Sequence, residues 1–196
     1  MKKKIIITGG LGYIGTELCK LYSGVSWHHK IVVIDNRFIS ERVNQLRNWN
    51  IEFIQGDILD KNLMKKYCHD ANIVHHLAGI TDVPRVKSES NKEHDEKIKK
   101  VAEEGTQNIL EVINNECKIV LPSTHVVYEG IAKVKNDIKE DEKTFPILAY
   151  GKSKDFNEKQ LKNSGKNYII LRLGSVYGYS TDTARVDIMA NFFSKM

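Results

Sequence analysis

Short β-branched runs alternate along this chain with longer segments whose apolar residues recur at helical spacing. The first run, Ile5–Ile7, breaks into glycines, and an amphipathic segment then continues from Thr16 to Tyr22. This order predicts a strand, a tight turn and a helix. Further runs of strand character follow at Ile31–Ile34, Ile51–Ile54, Ile73–Leu77, Lys118–Leu121 and Tyr168–Leu173.

Helical patterns separate these runs. The segments with helical spacing are Ser40–Asn48, Asp60–Tyr67, Lys92–Asn114 and a helix after Pro146 that carries Tyr150 and Lys154. The polar stretches Thr81–Asn91 and Gly130–Phe145 are predicted to be loops. Strands that alternate with helices in this way predict an α/β fold, with a doubly wound, mostly parallel sheet and helices on both of its faces.

The glycines after the first strand form a phosphate-binding pattern. Gly10, Gly12 and Gly15 match G-x-G-x-x-G between a predicted strand and a predicted helix. In this motif the glycines allow a tight turn and a close approach of the backbone to a pyrophosphate, which lies at the helix N-terminus. Asp35 ends the second strand about 20 residues later, where a carboxylate that binds ribose is expected. The pattern predicts a Rossmann-type dinucleotide-binding domain.

The composition fits one folded domain. The chain has 196 residues, of which 41% are hydrophobic and 28% are charged. Its formal charge of +5 comes from dispersed lysines, so we expect no nucleic-acid partner. The N-terminal region lacks a signal-peptide core, and no apolar stretch is long enough to cross a membrane. We therefore expect a cytoplasmic protein without a membrane partner.

The cysteines and histidines predict no metal site. Cys19, Cys68 and Cys117 are too far apart in sequence for a C-x-x-C pair, and we expect reduced, buried thiols. Two adjacent histidine pairs, at positions 28–29 and 75–76, place neighbouring side chains in different directions and do not converge on a metal.

Tyr150 and Lys154 form a candidate acid-base pair. Because they are four residues apart on a predicted helix, their side chains emerge on the same face. A lysine ammonium beside a phenol favours the phenolate and lowers a pKa that is about 10 in free tyrosine. A tyrosine in this setting can exchange a proton with an alcohol.

Small and acidic residues follow the third and fourth predicted strands. Asp57 has two interpretations, which are a contact with adenine and an N-cap of the next helix. The sequence leaves both open. Ala78 and Gly79 stop the fourth strand, where small residues allow a cofactor to lie across the strand end.

Taken together, these motifs resemble the extended short-chain dehydrogenase/reductases of the NAD-dependent epimerase/dehydratase family, which act on nucleotide sugars. The resemblance is greatest to the 4-epimerases of that family. The matching stretches occur in the family's order and cover nearly the whole chain, at positions 8–15, 56–58, 76–79, 123–128, 150–154 and 171–178. The resemblance implies a Rossmann-type fold and NAD as the cofactor.

The resemblance also implies a role for each matching residue at the cofactor. Gly9, Gly12 and Gly15 would form the family's G-x-x-G-x-x-G turn, and Asp35 would bind the adenosine ribose. Arg37 could receive a 2′-phosphate, but the nearer carboxylate of Asp35 would repel one and favour NAD. Further residues assigned to the cofactor are Tyr13, Ile14, Asn36, Asp57, Ile58, Leu77, Ala78, Gly79, Tyr150 and Lys154.

Three residues are implied in catalysis. Tyr150 would be the acid-base, Lys154 its electrostatic helper and a ribose ligand, and Thr124 would hydrogen-bond the reacting oxygen, with Ser123 as the alternative. The implied reaction is oxidation of a sugar hydroxyl, in which Tyr150 takes the proton while hydride moves to the nicotinamide. In an epimerase the ketone then turns over and receives the hydride on its other face.

The residues after Thr124 separate branches of the family. Dehydratases carry Asp-Glu there, where this chain has His125 and Val126. The absence of this Asp-Glu pair argues against dehydration, and the missing glutamate also disfavours decarboxylation. We therefore expect an epimerase of a nucleotide sugar, with UDP as the expected nucleotide. The alternatives are an NAD(P)-dependent reductase of a smaller carbonyl compound and a non-catalytic NAD-binding module.

The chain departs from the family pattern in three places. Ala102 stands where the family has an asparagine, Glu129 stands between Tyr128 and the next glycine, and Tyr179 follows Gly178 in place of proline.

The length also departs from the family. Family members continue for a further hundred or so residues, a size typical of a second lobe. We expect a cofactor domain over residues 1–180 and the start of a truncated or absent substrate lobe at 181–196. The resemblance further suggests a homodimer through the helices at 92–114 and 150–163.

Overall fold

The computed structural model describes residues 2–81, 91–178 and 180. These residues form one sheet, and each predicted strand is present within a few residues of its expected limits. The strands are β1 (Lys4–Thr8), β2 (Lys30–Asp35), β3 (Glu52–Gln55), β4 (Ile73–His76), β5 (Lys118–Thr124) and β6 (Asn167–Leu173).

The strand order places a ligand site at the centre of the sheet. The order is β3-β2-β1-β4-β5-β6, and every neighbouring pair is parallel. The chain first adds strands on one side of β1 and then on the other, so the order reverses between β1 and β4. Ligands of open parallel sheets bind outside the carboxyl ends of the strands at such a switch point. In this chain Gly9 and Leu77 begin the segments at that point.

Helices cover both faces of the sheet, as predicted. They are α1 (Tyr13–Ser23), α2 (Ser40–Asn48), α3 (Lys61–Cys68), α4 (Lys92–Val112) and α5 (Ala149–Asn163). Ile5 and Ile7 of β1 lie in a core with residues of α1 and α2, whereas Ile6 lies in a second core with residues of α3, α4 and α5. Successive side chains of a strand point to opposite faces, so one run of three isoleucines serves both cores.

The capping role considered for Asp57 is wrong. Asp60 is the N-cap of α3, and its carboxylate accepts a hydrogen bond from the Leu63 amide at 3.0 Å. Asp57 lies in the turn before it, where its Oδ1 accepts from the Leu59 amide at 2.9 Å. A turn separates β3 from α3, so the acid nearest to the strand is not the one at the helix end.

A short element after β5 was not predicted. Residues His125–Tyr128 form a 3₁₀ turn, and the side chain of Thr124 caps it by accepting from the Val126 amide at 3.3 Å. Four residues of β-branched and aromatic type gave no helical signal. Most of the loop predicted at Thr81–Asn91, and the whole segment 181–196, lie outside the described residues.

Candidate functional site

A cleft of about 960 Å³ opens at the carboxyl ends of the central strands. Its volume is in the range of small-molecule and cofactor sites. All the residues predicted to hold the cofactor or to react line this one cleft. They are Gly9, Gly12, Tyr13, Ile14, Gly15, Asp35, Asn36, Asp57, Ile58, Leu77, Ala78, Gly79, Thr124, Tyr150 and Lys154.

The glycine turn is built by close backbone contacts. Gly9 has φ +70°, and a Cβ there would lie 2.7 Å from the backbone nitrogen of Ala78. A Cβ on Gly15 would lie 2.4 Å from the carbonyl oxygen of Gly9. Neither position therefore accepts a side chain without moving backbone. Gly10 faces the side chain of Val33 in the core instead of the cleft, so the glycines of this turn that line the site are Gly9, Gly12 and Gly15.

The N-terminus of α1 opens into the cleft. Gly12 is its N-cap and supplies no capping side chain, and the first intrahelical bond to Gly12 runs from the Thr16 amide at 2.9 Å. The first amides of a helix have no partner within it, and they carry the positive end of the helix dipole. Tyr13, Ile14 and Gly15 thus offer a place for an anionic group such as a pyrophosphate.

The phenol of Tyr13 also reaches the segment that follows β6. Its hydroxyl donates to the carbonyl oxygen of Gly178 at 2.8 Å. This bond ties the first residue of α1 to a part of the chain far away in sequence. It holds that segment beside the phosphate turn.

Asp35 is fixed at the end of β2 by three protein donors. Its Oδ2 accepts from the Leu11 amide at 3.0 Å, and its Oδ1 accepts from the amide and Nε of Arg37 at 3.1 and 3.3 Å. The residue is only 5% exposed. Because carboxylate oxygens accept several bonds, the group keeps capacity for a ribose hydroxyl at the cleft wall.

Asn36 and Asp57 form the neighbouring part of the wall. The Asn36 amide donates to Oδ2 of Asp57 at 3.0 Å, so this amide orients the carboxylate that the Leu59 amide also binds. Next to them, Ile58 is 4% exposed and packs on α4 at Gly105, where a Cβ would lie 2.3 Å from Cδ1 of Ile58. These contacts create a polar edge beside an apolar wall, a combination typical of small-molecule sites.

Several basic residues of the lining were missed in the sequence. Arg42 of α2 donates to the carbonyl oxygen of Leu11, and Lys97 and Lys100 of α4 also line the cleft. Their spacing with His94 places them on one side of α4. That spacing was the available signal, but it could not be distinguished from an ordinary solvated face without the fold.

Lys154 is a buried cation in the wall of the cleft. Its Nζ donates to the carbonyl oxygen of Pro122 at 2.9 Å and lies 5.9 Å from the centre of the Tyr150 ring. Burial lowers the pKa of Lys154 from 10.5 to about 8, since desolvation penalises the ammonium form. The predicted pair is thus brought together, with Lys154 anchored on β5.

Two adjacent hydroxyls at the end of β5 have different partners. The Ser123 hydroxyl donates to Oε1 of Glu158 at 2.5 Å. The Thr124 oxygen accepts from the Val126 amide, which leaves its proton for another acceptor. Thr124 therefore fits the predicted role at a reacting oxygen better than Ser123 does.

Glu158 belongs to a buried ion pair on α5. Its carboxylate, 1% exposed, accepts from Nε of Arg172 at 2.9 Å and from Nη2 at 2.6 Å. Arg172 also donates to the Tyr128 hydroxyl and to the carbonyl oxygen of Glu140. These bonds give Arg172 a structural role and hold β6, α5 and the 3₁₀ turn together.

His76 is buried beneath the cleft. Its ring nitrogens lie 3.0 Å from the hydroxyls of Thr8 and Thr106. Burial, with a smaller contribution from nearby Lys154, lowers the pKa of His76 from 6.5 to about 3. His76 is therefore neutral and bridges β1, β4 and α4.

Neither a metal site nor a membrane-spanning helix is present among the described residues. In that part of the chain no group of His, Cys, Asp or Glu side chains is arranged to hold a metal ion. None of the helices described is both long and apolar enough to span a membrane. Cys19, Cys68 and Cys117 are buried free thiols.

Comparison with known proteins gives relatives from more than one branch of nucleotide-sugar chemistry. The chain is 32% identical to a UDP-glucose 4-epimerase of Neisseria meningitidis serogroup C, over 84% of this chain and 49% of the relative. It is also 32% identical to a UDP-N-acetyl-alpha-D-glucosaminuronate decarboxylase of Bacillus cytotoxicus, over 65% of this chain and 38% of the relative.

The fold is shared with a solved epimerase. A variant of the UDP-glucuronic acid 4-epimerase of Bacillus cereus, in complex with UDP-4-deoxy-4-fluoro-glucuronic acid and NAD, superposes with a TM-score of 0.77. It is 27% identical, and the alignment covers 96% of this chain and 60% of the epimerase. This chain spans about half the length of the curated relatives it matches. The profile of the NAD dependent epimerase/dehydratase family matches residues 5–196, and the chain belongs to this family.

Proposed function

We propose that this cleft binds NAD and that the chain takes part in the reversible oxidation of a nucleotide-sugar hydroxyl, as an epimerase does. The observation that carries the proposal is the convergence of the glycine turn, Asp35, Thr124, Tyr150 and Lys154 on one cleft. Separate strand ends and helix α5 supply these residues, and the switch-point topology brings them together.

The cleft fits a dinucleotide along its length. The pyrophosphate would meet the amides of α1 at Gly12 to Gly15, and Asp35 would bind the adenosine ribose. Asp57 and Ile58 would flank the adenine. Leu77, Ala78 and Gly79 would lie under the cofactor, and Lys154 would bind the second ribose.

Side chains of this protein would transfer the proton of the sugar hydroxyl. NAD supplies the hydride acceptor and donor when bound. Tyr150 takes the hydroxyl proton of the sugar, and the Lys154 ammonium favours the phenolate. Thr124 would donate a hydrogen bond to the reacting oxygen and hold that oxygen beside Tyr150. Lys154 is held for this role by the Pro122 carbonyl.

The branch of the family is proposed from two residues. His125 and Val126 stand where a dehydratase needs Asp-Glu, and His125 points to the Leu173 carbonyl, which lies 3.2 Å from its Nδ1. A residue held in this way is not a replacement for the missing acid. The relatives include both an epimerase and a decarboxylase, so the proposal of epimerisation rests on these side chains.

UDP is the proposed nucleotide, because both relatives described above act on UDP-sugars. We further propose a homodimer through the outer faces of α4 and α5, on which Phe156 is 40% exposed. Sedimentation would test the dimer. A cytoplasmic location is proposed from the buried, unpaired thiols, which suit a reducing compartment.

Calorimetric titration with NAD, followed by UDP-glucose or UDP-galactose, tests the proposal. Binding of both ligands, with sugar epimerisation that Tyr150→Phe abolishes, supports the epimerase. Absence of NAD binding contradicts the whole proposal. Binding of NAD without turnover supports the alternative of a cofactor module. Net consumption of added NADH with a small carbonyl compound supports a reductase, because an epimerase returns its hydride.

A further inference from the structure

The helix that carries Tyr150 begins without a cap of its own. Leu148 is the N-cap of α5 and makes no side-chain hydrogen bond, and the first turn contains no acidic residue. The amides that precede and open a helix need acceptors from elsewhere. An uncapped start leaves the first turn free to fray, and Tyr150 lies in that turn.

Glu129, from a distant part of the chain, accepts hydrogen bonds from the two amides that lead into α5. Its Oε1 accepts from the amide of Ile147 at 2.6 Å and from the amide of Leu148 at 2.7 Å. Hydrogen bonds from backbone amides to a carboxylate are short and stronger than neutral ones. Glu129 occupies the position where the family pattern has glycine after Tyr128, so this contact is a property of this chain.

Backbone hydrogen bonds also connect the 3₁₀ turn to the segment that leads into α5. The Phe145 amide donates to the carbonyl oxygen of Val127 at 2.7 Å, and the Gly130 amide donates to the carbonyl oxygen of Phe145 at 2.9 Å. A Cβ on Gly151 would lie 3.2 Å from the Val126 carbonyl oxygen and 3.5 Å from Oε1 of Glu129. The first turn of α5 therefore packs directly on the 3₁₀ turn.

These contacts form a continuous path between two residues of the proposed site. Thr124 caps the 3₁₀ turn, and Glu129 caps the turn's other end. Glu129 then binds the two amides that precede Ala149 and Tyr150. Each step of this path is a direct contact, and the Glu129 step lies at the exposed surface.

We propose that Glu129 is a positioning residue, which fixes the first turn of α5 and thereby sets Tyr150 relative to Thr124. The part of this inference that concerns turnover rests on the proposed function. Oε1 acts as a hydrogen-bond acceptor, so an amide oxygen in the same place preserves the contact, and a methyl group does not.

The test compares Glu129→Ala with Glu129→Gln in the full chain. Glu142→Ala is the matched control, because Glu142 lies in the same segment and its carboxylate forms an ion pair with Lys135 at 2.5 Å. Hydrogen exchange of the Ile147 and Leu148 amides is the first readout. We expect about tenfold faster exchange in Glu129→Ala, and rates near wild type in the other two variants.

A second readout follows Tyr150 without turnover. In chains labelled with 3-fluorotyrosine, the Tyr150 resonance is assigned by its loss in Tyr150→Phe. We expect it to shift or broaden in Glu129→Ala and to remain unchanged in Glu129→Gln. Unaltered exchange or an unaltered resonance in Glu129→Ala overturns the proposal.

Kinetics then separate the positioning role from the proposed function. We expect kcat to fall about tenfold in Glu129→Ala, with KM within about a factor of two, because displacement of a reacting group slows the chemical step. A loss confined to KM overturns the proposal. If the wild-type chain shows no turnover while the Tyr150 resonance responds to Glu129→Ala, the proposed function fails and the positioning contact stands.

Discussion

The hydroxyl of Ser123 lies 2.5 Å from Oε1 of Glu158, and this contact makes it a donor to a buried carboxylate. The neighbouring hydroxyl of Thr124 serves as an acceptor for the Val126 amide. Adjacent residues of one strand point to opposite faces, so two similar side chains come to have different partners. The direction in which each side chain leaves the strand therefore decides which of the two hydroxyls can serve at the proposed site.

Removal of the Thr124 hydroxyl is expected to affect the reaction more than removal of the Ser123 hydroxyl. Thr124→Ala should lower kcat/KM about 100-fold through the loss of a donor to the reacting oxygen, whereas Thr124→Ser should retain most activity. Ser123→Ala should lower stability by about 1–3 kcal/mol, because it removes a partner of buried Glu158. Epimerase kinetics and urea unfolding would measure the two effects. Equal losses of activity in both alanine variants would contradict this assignment.

A methyl group in the phosphate turn is expected to weaken cofactor binding. In Gly15→Ala the new Cβ would meet backbone at Gly9 and Gly10, at 2.4 and 2.6 Å, so the turn must move. Calorimetry should show at least about a tenfold weaker affinity for NAD, since the amides of α1 would no longer converge. Gly24→Ala is the control at the other end of α1, where the nearest atom lies 3.9 Å away. Equal affinities for NAD in both variants would refute the role of the turn.

Lys154 is expected to lower the stability of the empty chain. Burial lowers its pKa from 10.5 to about 8, which corresponds to roughly 3 kcal/mol against folding at neutral pH. Lys154→Met removes this penalty and loses one hydrogen bond worth about 1 kcal/mol, so we expect a net gain of about 1–2 kcal/mol at pH 7.

The pH dependence of that gain has a defined sign. Between pH 8 and 10.5 the unfolded lysine holds a proton that the folded lysine has released, so wild-type stability rises with pH in this window. The advantage of Lys154→Met should therefore shrink as pH rises from 8 towards 10. Urea unfolding at several pH values measures it. A variant that is less stable than wild type at pH 7 would disprove this explanation.

His76 is expected to make the fold sensitive to acid. Its pKa is lowered to about 3 in the folded chain, whereas an unfolded histidine binds a proton below 6.5. Stability should fall as pH drops below 6.5, by about 2 kcal/mol at pH 5 from this residue alone. His76→Gln keeps a polar side chain without this titration and should lose less stability between pH 7.5 and 5. Parallel losses in the two chains would exclude His76 as the cause.

The sheet was accessible from sequence because its strands are apolar and its turns contain glycine. Ile5–Ile7 serves two cores, so its continuous apolar character reports burial on both faces. The acidic residue at the start of α3 was harder to assign. Asp57 and Asp60 both suit a cap, and only the path of the chain after β3 distinguishes them.

Long-range polar contacts were not accessible from sequence. Ala102 lacks the amide side chain that the family pattern leads one to expect, yet Asn157 of α5 donates to its carbonyl oxygen at 2.9 Å. Glu129 likewise departs from the pattern, and its contacts are with residues 18 and 19 positions later. Such partners depend on how helices pack, which local periodicity does not encode.

The burial of Lys154 links ligand binding in the cleft to the resistance of the chain to unfolding and proteolysis. A cofactor whose ribose accepts a hydrogen bond from this ammonium binds the folded state alone, and it raises the free energy of unfolding by mass action. Chains without ligand would unfold more often and would be cleaved first by proteases. The abundance of this protein in a cell would then follow the supply of its cofactor.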